Sequence, residues 1–299
     1  MSPAIDVPAY LKERARLVDE GLERFLPPES APPATLHRAM RYSVFAGGKR
    51  LRPVLVIAGA EAVGGTAEQV MATACAMELI HTYSLIHDDL PAMDNDDYRR
   101  GQLTNHKVFG EAMAILAGDA LLTLAFGLIA ENFPAGASGA ALREVLADVA
   151  AGAGAPGMVG GQVADIEAEG RPATAESVDY IHRHKTAALI RTSLRVGATI
   201  CGATTAQGEA LGVAGGAIGL AFQIVDDLLD VEATSEQLGK TAGKDQAQQK
   251  ATYPAVHGLE ASRRRAAELV AEAERALAPL GAPAEPIRAL ARFVLERKA

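Results

Sequence analysis

With 299 residues, 49% of them hydrophobic and 22% charged, the chain can bury a large core as one large domain or two small ones. A net charge of −8 argues against nucleic-acid binding, which needs a basic face. The two cysteines, Cys75 and Cys201, offer neither a disulfide framework nor a metal-ligand spacing, so a reducing, cytoplasmic setting is expected.

Asp6, Lys12 and Glu13 precede any apolar run, and no signal peptide is expected. Helical periodicity then runs through nearly the whole chain, with no sustained alternation bounded by hairpin turns, which predicts a single all-α domain over 1–299. Helices are predicted over 9–25, 34–45, 52–63, 67–91, 111–132, 141–168, 175–202, 206–232, 253–280 and 284–297. Breaks fall at Pro27-Pro28, Pro32-Pro33, Gly47-Gly48, Gly64-Gly65, Asn132-Phe133-Pro134 and Gly281-Ala282-Pro283, none long enough for an interdomain linker. Segments 67–86 and 206–225 are apolar almost all round and belong at the centre, with the amphipathic 9–25 outside. Ala112–Ala130 is long enough to span a membrane but carries Asp119 at its middle, so a buried core helix is expected rather than a span. The polar stretch 234–252 is predicted to be a mobile loop.

Two acidic clusters interrupt this apolar background, Asp88-Asp89 with Asp94 and Asp226-Asp227 with Asp230. Like charges one helical turn apart repel by roughly 0.2–0.5 kcal/mol per pair, and unpaired charge in apolar helix is costly, so a cation is needed to offset both. Hard carboxylate oxygens, too few to fill a coordination shell, suit Mg²⁺, which completes its shell with water and substrate phosphates. Asp226 and Asp230 share one helix face with Asp227 beside them. Asp88 and Asp94 would point about 120° apart on an ideal helix. The helix must therefore loosen, and Pro91 supplies the break.

Gly47-Gly48-Lys49-Arg50-Leu51-Arg52-Pro53 sets three cations at a glycine turn entering a helix, where they oppose the helix dipole unless an anion arrives. Arg99-Arg100 follows the first acidic cluster, Lys185-Thr186 lies mid-helix, and Lys240, Lys244 and Lys250 punctuate the polar stretch. Leu238-Gly239-Lys240-Thr241 ends like a phosphate loop, but Thr234 stands where the first glycine belongs and no strand precedes it. His182 and His184 face apart on a helix, which argues against a zinc pair.

Taken together, these motifs resemble the trans-isoprenyl diphosphate synthases, and among them the bacterial farnesyl diphosphate synthases (geranyltranstransferases), from about Thr35 to the C-terminus. The matching residues are Asp88-Asp89-Leu90-Pro91-Ala92-Met93-Asp94, Asp226-Asp227-Leu228-Leu229-Asp230, the 47–53 turn, Arg99-Arg100, Gly161-Gln162 with Asp165, Lys185-Thr186, Phe222-Gln223 and Gly239-Lys240. The resemblance implies one bundle of about ten helices around an apolar cavity, a homodimer, and head-to-tail prenyl transfer between an allylic diphosphate and isopentenyl diphosphate. It also implies three Mg²⁺ ions, with Asp88, Asp89, Asp94, Asp226, Asp227 and Asp230 as the metal-binding set. Arg99, Lys185 and Lys240 would hold the allylic phosphates, and Lys49, Arg52, His81 and Arg100 the isopentenyl diphosphate, with Lys250 a further substrate-binding residue. Lys185, Thr186 and Gln223 would face the developing cation, and the released diphosphate would take the final proton.

In related enzymes product length is set below the first motif. Tyr83, about 7.5 Å along the helix axis from Asp88, would floor the pocket at fifteen carbons, with Ser84 next to it. Ordinary core packing of Tyr83 is compatible with that role. Lys244, in Ala242-Gly243-Lys244-Asp245, departs from typical relatives and has no assigned contact. Three rival readings stand beside this one: a geranylgeranyl diphosphate synthase of the same family, a class I terpene cyclase and a non-catalytic partner subunit. Cyclases carry Asn, Ser or Thr and Glu in the second metal motif and lack the Gly-Gly-Lys-Arg turn, while partner subunits tend to lose an aspartate motif.

Overall fold

The computed structural model describes residues 5–133, 136–232 and 252–297. Its helices are α1 (Val7–Phe25), α2 (Ala34–Val44), α3 (Leu51–Glu61), α4 (Ala67–Asp88), α5 (Asn105–Phe109), α6 (Glu111–Ala130), α7 (Gly139–Ala153), α8 (Met158–Ala168), α9 (Ala175–Ile181), α10 (Ala188–Ile200), α11 (Thr205–Glu232), α12 (Tyr253–His257), α13 (Leu259–Leu277) and α14 (Glu285–Glu296). A π-helical turn, His182–Ala187, joins α9 to α10, and β1 (Tyr98–Arg99) pairs antiparallel with β2 (Gln102–Leu103). The fold is all-α, as the periodicity predicts.

Local chemistry explains the helix starts. Asp6 accepts a hydrogen bond from the Ala9 amide at 3.0 Å, so α1 begins two residues before the apolar pattern does. Thr66 and Gln69 form a reciprocal capping box at the start of α4.

Several expected helices are interrupted. Segment 141–168 divides at Gly154–Gly157, where Gly154 is extended and Pro156 cannot continue a helix. Segment 253–280 divides at Gly258, whose φ of +81° stops α12. The hairpin is too short for alternation to show, and α5 is a five-residue turn of helix inside what reads as loop.

Two apolar clusters form the core. One gathers around α4 from α1, α2, α6 and α7 (Leu22, Leu79, Ile80, Leu121 and Val145 among them), and the other around α10 and α11 with α13 and α14. Burying each Leu or Ile contributes roughly 1.5–3 kcal/mol before entropy is counted. Helix α3 is buried from Pro53 to Ala60 and serves both clusters, Val56 and Ile57 facing the first, Leu55 and Ala58 the second. The ends of α4 and α11, and the basic turn that begins α3, are thereby brought into one region.

Helices α6 and α11 are long and apolar enough to cross a membrane by length and composition. Both pack in the bundle. Helix α6 buries Ala114, Ala117, Leu121 and Leu128 but leaves Ile115 and Leu116 exposed, so the expected core helix is covered on one side only.

Candidate active site

Helix α4 ends at Asp88, three residues before Pro91, and the chain folds back on itself. The Asp94 amide donates to the Asp88 carbonyl at 2.8 Å and the Asn95 amide to that of Leu90 at 3.1 Å, with Asn95 left-handed at φ +49°. That turn returns Asp94 to Asp88. Burial pushes the Asp88 carboxyl up to about 6; Lys185 and Arg99 oppose the shift, while Asp94 and Asp89 add to it. Asp89 is committed elsewhere, since Arg99 Nε lies 2.8 and 3.0 Å from its two oxygens and Arg99 Nη2 is 2.6 Å from Oδ1.

The second cluster lies in the last turns of α11. Burial raises the Asp226 carboxyl above its ordinary range, against the pull of Arg297 and Lys49. Asp227, again buried, accepts hydrogen bonds from the Tyr253 amide at 2.7 Å and Gln223 Nε2 at 3.1 Å, and His182 Nε2 stands 3.3 Å away. It thus anchors the start of α12 to α11. Asp230 extends the cluster one turn further along the helix.

Between the clusters, the π turn carries Lys185 and Thr186 out of the regular helical register the periodicity predicts. Lys185 Nζ is 2.6 Å from Asp165 on α8, and Thr186 Oγ1 donates to Gln223 Oε1 at 2.9 Å. Gly161 permits this approach, because a β-carbon there would collide with the Lys185 backbone. His184 stacks on Tyr180 while His182 turns inward to Asp227, so the two histidines diverge as predicted.

On the α3 side several cations converge, with Glu78 and Asp226 the carboxylates that offset them. Burial draws the Arg52 guanidinium down to about 10; Glu78 opposes this and Arg100 adds to it. Burial, reinforced by Arg52, Arg100, Arg99 and Arg50, holds His81 well below its ordinary value and therefore neutral. Arg52 Nε is buried with no hydrogen-bond partner among the described residues, which leaves one donor unused. Arg100 donates to the Gly47 carbonyl, and Gly48, at φ +126°, leaves the space that its guanidinium fills. Burial and Arg297 lower the Lys49 ammonium, with Asp226 opposing.

Arg50 departs from the basic turn's apparent purpose. Its left-handed backbone (φ +48°) turns the side chain inward to Glu78 and Asp19, each at 2.8 Å, and to the Val44 carbonyl. Glu78, a lone acid inside an apolar helix, was the one sequence signal of this buried pair. Arg297 beside Asp226 had no such signal. Lys240, Lys244 and Lys250 lie outside the described residues.

Tyr83 is 7% exposed and one turn before His87, whose ring meets it edge-on with centroids 5.7 Å apart. Ser84 Oγ donates to the His81 carbonyl at 2.8 Å.

Among the described residues no three acidic or histidine side chains converge as a preformed cation cage. The donor chemistry nevertheless fits Mg²⁺, which needs only one or two carboxylates beside water and phosphate oxygens.

The sequence model of the polyprenyl synthetase family matches residues 33–278. The chain is 48% identical to a dimethylallyltranstransferase of Fischerella ambigua, over 98% of this chain and 84% of that protein. It is 47% identical to the farnesyl diphosphate synthase of Geobacillus stearothermophilus, over 91% and 92%. A crystal structure of geranylgeranyl pyrophosphate synthetase from Pyrococcus horikoshii superposes with a TM-score of 0.89 at 32% identity, covering 98% of this chain and 99% of that one. With both aspartate clusters and the basic turn in one region, the chain belongs to the polyprenyl synthetase family and is a prenyltransferase of the trans-isoprenyl diphosphate synthase type.

Proposed function

We propose that the enzyme condenses dimethylallyl or geranyl diphosphate with isopentenyl diphosphate, head to tail, and releases mainly farnesyl diphosphate. One observation carries this reading: carboxylates that resist ionising, with Asp88 pushed to about 6, share one region with buried Arg52, whose Nε has no partner among the described residues, Arg100 and neutral His81. Two diphosphates of different chemistry suit those two surfaces. Asp88, Asp94, Asp226 and Asp230 would hold Mg²⁺, while Asp89 and Asp227 join the set mainly by fixing Arg99, Gln223 and Tyr253.

Bound Mg²⁺ neutralises charge on the departing diphosphate. Lys185 and Arg99 add positive charge there, and Lys240 and Lys250 belong to the same proposal. As the allylic C–O bond breaks, the π electrons of isopentenyl diphosphate form the new C–C bond, and a proton then leaves to the released diphosphate. Lys49, Arg52, His81 and Arg100 hold the second diphosphate for that attack. The oxygens of Thr186 and Gln223, fixed to each other at 2.9 Å, place dipoles near the developing cation.

Buried Tyr83, five residues before Asp88 on the same helix, with Ser84 alongside, supports a fifteen-carbon stop. Geranylgeranyl diphosphate is the second reading, favoured by relatives that bear that name. The exposed Ile115 and Leu116 beside the apolar groove of Leu36, Met40 and Met113 support a homodimer through α6, in a cytoplasmic enzyme. Incubation with labelled isopentenyl diphosphate and an allylic starter, with and without Mg²⁺, tests the reading: metal-dependent linear elongation upholds it, and cyclised hydrocarbon or no product overturns it.

A further inference from the structure

Three cations enter the site already paired. Arg99 sits on Asp89 and Lys185 on Asp165, carboxylates whose work is to hold those cations. The third pair is different. Arg297, just past the end of α14, places Nη1 2.7 Å from Oδ1 of Asp226, the first carboxylate of the second acidic cluster. Its guanidinium carbon also lies 4.3 Å above the Phe222 ring, one turn back on α11. Only 15% of the Arg297 side chain is exposed, against 35% of Asp226, so the pair is largely shielded from water and the carboxylate keeps its more open side.

The contact is a close ion pair: burial raises the Asp226 carboxyl, and the Arg297 guanidinium opposes that rise by charge and by hydrogen bonding. A metal ion that takes Asp226 must replace that pairing, while the Phe222 ring still offers the displaced guanidinium a face to stack on. Lys49 is close enough to feel both partners, so Asp226 lies between two positive side chains. A divalent ion approaching Asp226 must compete with both.

We propose that Arg297 is a built-in counterion that occupies Asp226 in the metal-free enzyme and opposes metal loading of the second cluster until it is displaced. The proposal rests on the reading of Asp226 as a metal ligand. It gives the C-terminal helix a function beyond packing: by occupying the carboxylate, Arg297 offsets the cost of a buried charge and weakens binding of metal alone. Linkage makes the effect mutual, so metal bound at Asp226 loosens the end of α14.

Mn²⁺ alone, titrated into chelator-treated full-length protein and followed by electron paramagnetic resonance, tests this without turnover. Arg297→Gln is expected to tighten one Mn²⁺ site about tenfold, within the usual range of coupling between competing groups. Arg297→Lys, which keeps the charge, should bind much as the unaltered protein does. Asp226→Asn should lose that site, and adding Arg297→Gln to it should change nothing further. If Arg297→Gln binds Mn²⁺ no more tightly while Asp226→Asn still loses a site, the counterion role is wrong and the ligand assignment survives. If Asp226→Asn keeps every site, both are wrong. Circular dichroism on each variant confirms that the helical fold is retained.

Discussion

Asp88→Asn should make the metal-free enzyme more stable while destroying its activity. The Asp88 carboxyl stands at about 6 against an ordinary 3.8, a shift of about two units that already includes the attraction of Lys185 and Arg99. At ~1.4 kcal/mol per unit, holding the charge costs roughly 3 kcal/mol, an upper figure because Asp88 keeps some contact with water. The folded value lies above the unfolded one. The stability this group contributes is therefore fully present below about pH 4 and is lost as the pH rises through about 6. Asparagine imitates the neutral carboxyl at every pH. For a chain of this length the variant should melt about 3–5 °C higher at about pH 8, and the two curves should converge toward about pH 4. Thermal unfolding followed by circular dichroism, with chelator present and protein concentration fixed, reads both ends. Coincident melting at about pH 8, or a lower melting point for the variant, would refute the claim that this carboxylate is kept charged at the fold's expense.

Asp226→Asn, like Asp88→Asn, should lower turnover by several orders of magnitude with helical content unchanged; steady-state kinetics within a few-fold of the unaltered enzyme would remove both residues from the chemistry. Arg52→Ala should raise KM for isopentenyl diphosphate far more than KM for the allylic substrate, since the proposal assigns the unpartnered Nε to the homoallylic phosphate. An equal effect on both would mean that the two sites are exchanged. Tyr83→Ala should add a geranylgeranyl fraction to the product while costing about 3–5 kcal/mol of stability, so chain length is to be scored per active enzyme. A variant strictly confined to fifteen carbons would leave Tyr83 a packing residue.

Much of the architecture can be read from pattern alone, because apolar period and helix breakers act locally. Helices α4 and α11 are central as their all-round apolarity predicts, and the kink demanded by Asp88 and Asp94 is present. Pro91 acts earlier than expected, since the residue before a proline already avoids helical backbone and α4 stops at Asp88. Short features escaped for want of signal: the 98–103 hairpin holds two residues per strand, and Gly154–Gly157 interrupts a continuous apolar period. Long-range partnerships are a different matter. Glu78 inside an apolar helix signals a buried partner but does not name Arg50, twenty-eight residues away; nothing announces Asp19, thirty-one residues away, or Arg297 beside Asp226. Likewise, six aspartates look equivalent along the chain, yet Arg99 saturates Asp89 and Gln223 with Tyr253 saturates Asp227. Folding distributes those roles, and only tertiary contacts reveal them.

The most direct test of the account is the chain length of the product made from geranyl diphosphate with excess isopentenyl diphosphate and Mg²⁺, resolved by chromatography after removal of the diphosphate. Farnesol as the dominant alcohol, absent when the metal is chelated, is the predicted result. Geranylgeraniol as the main product would contradict the role given to Tyr83, and a cyclic hydrocarbon or unconsumed starter would contradict the two-diphosphate site itself.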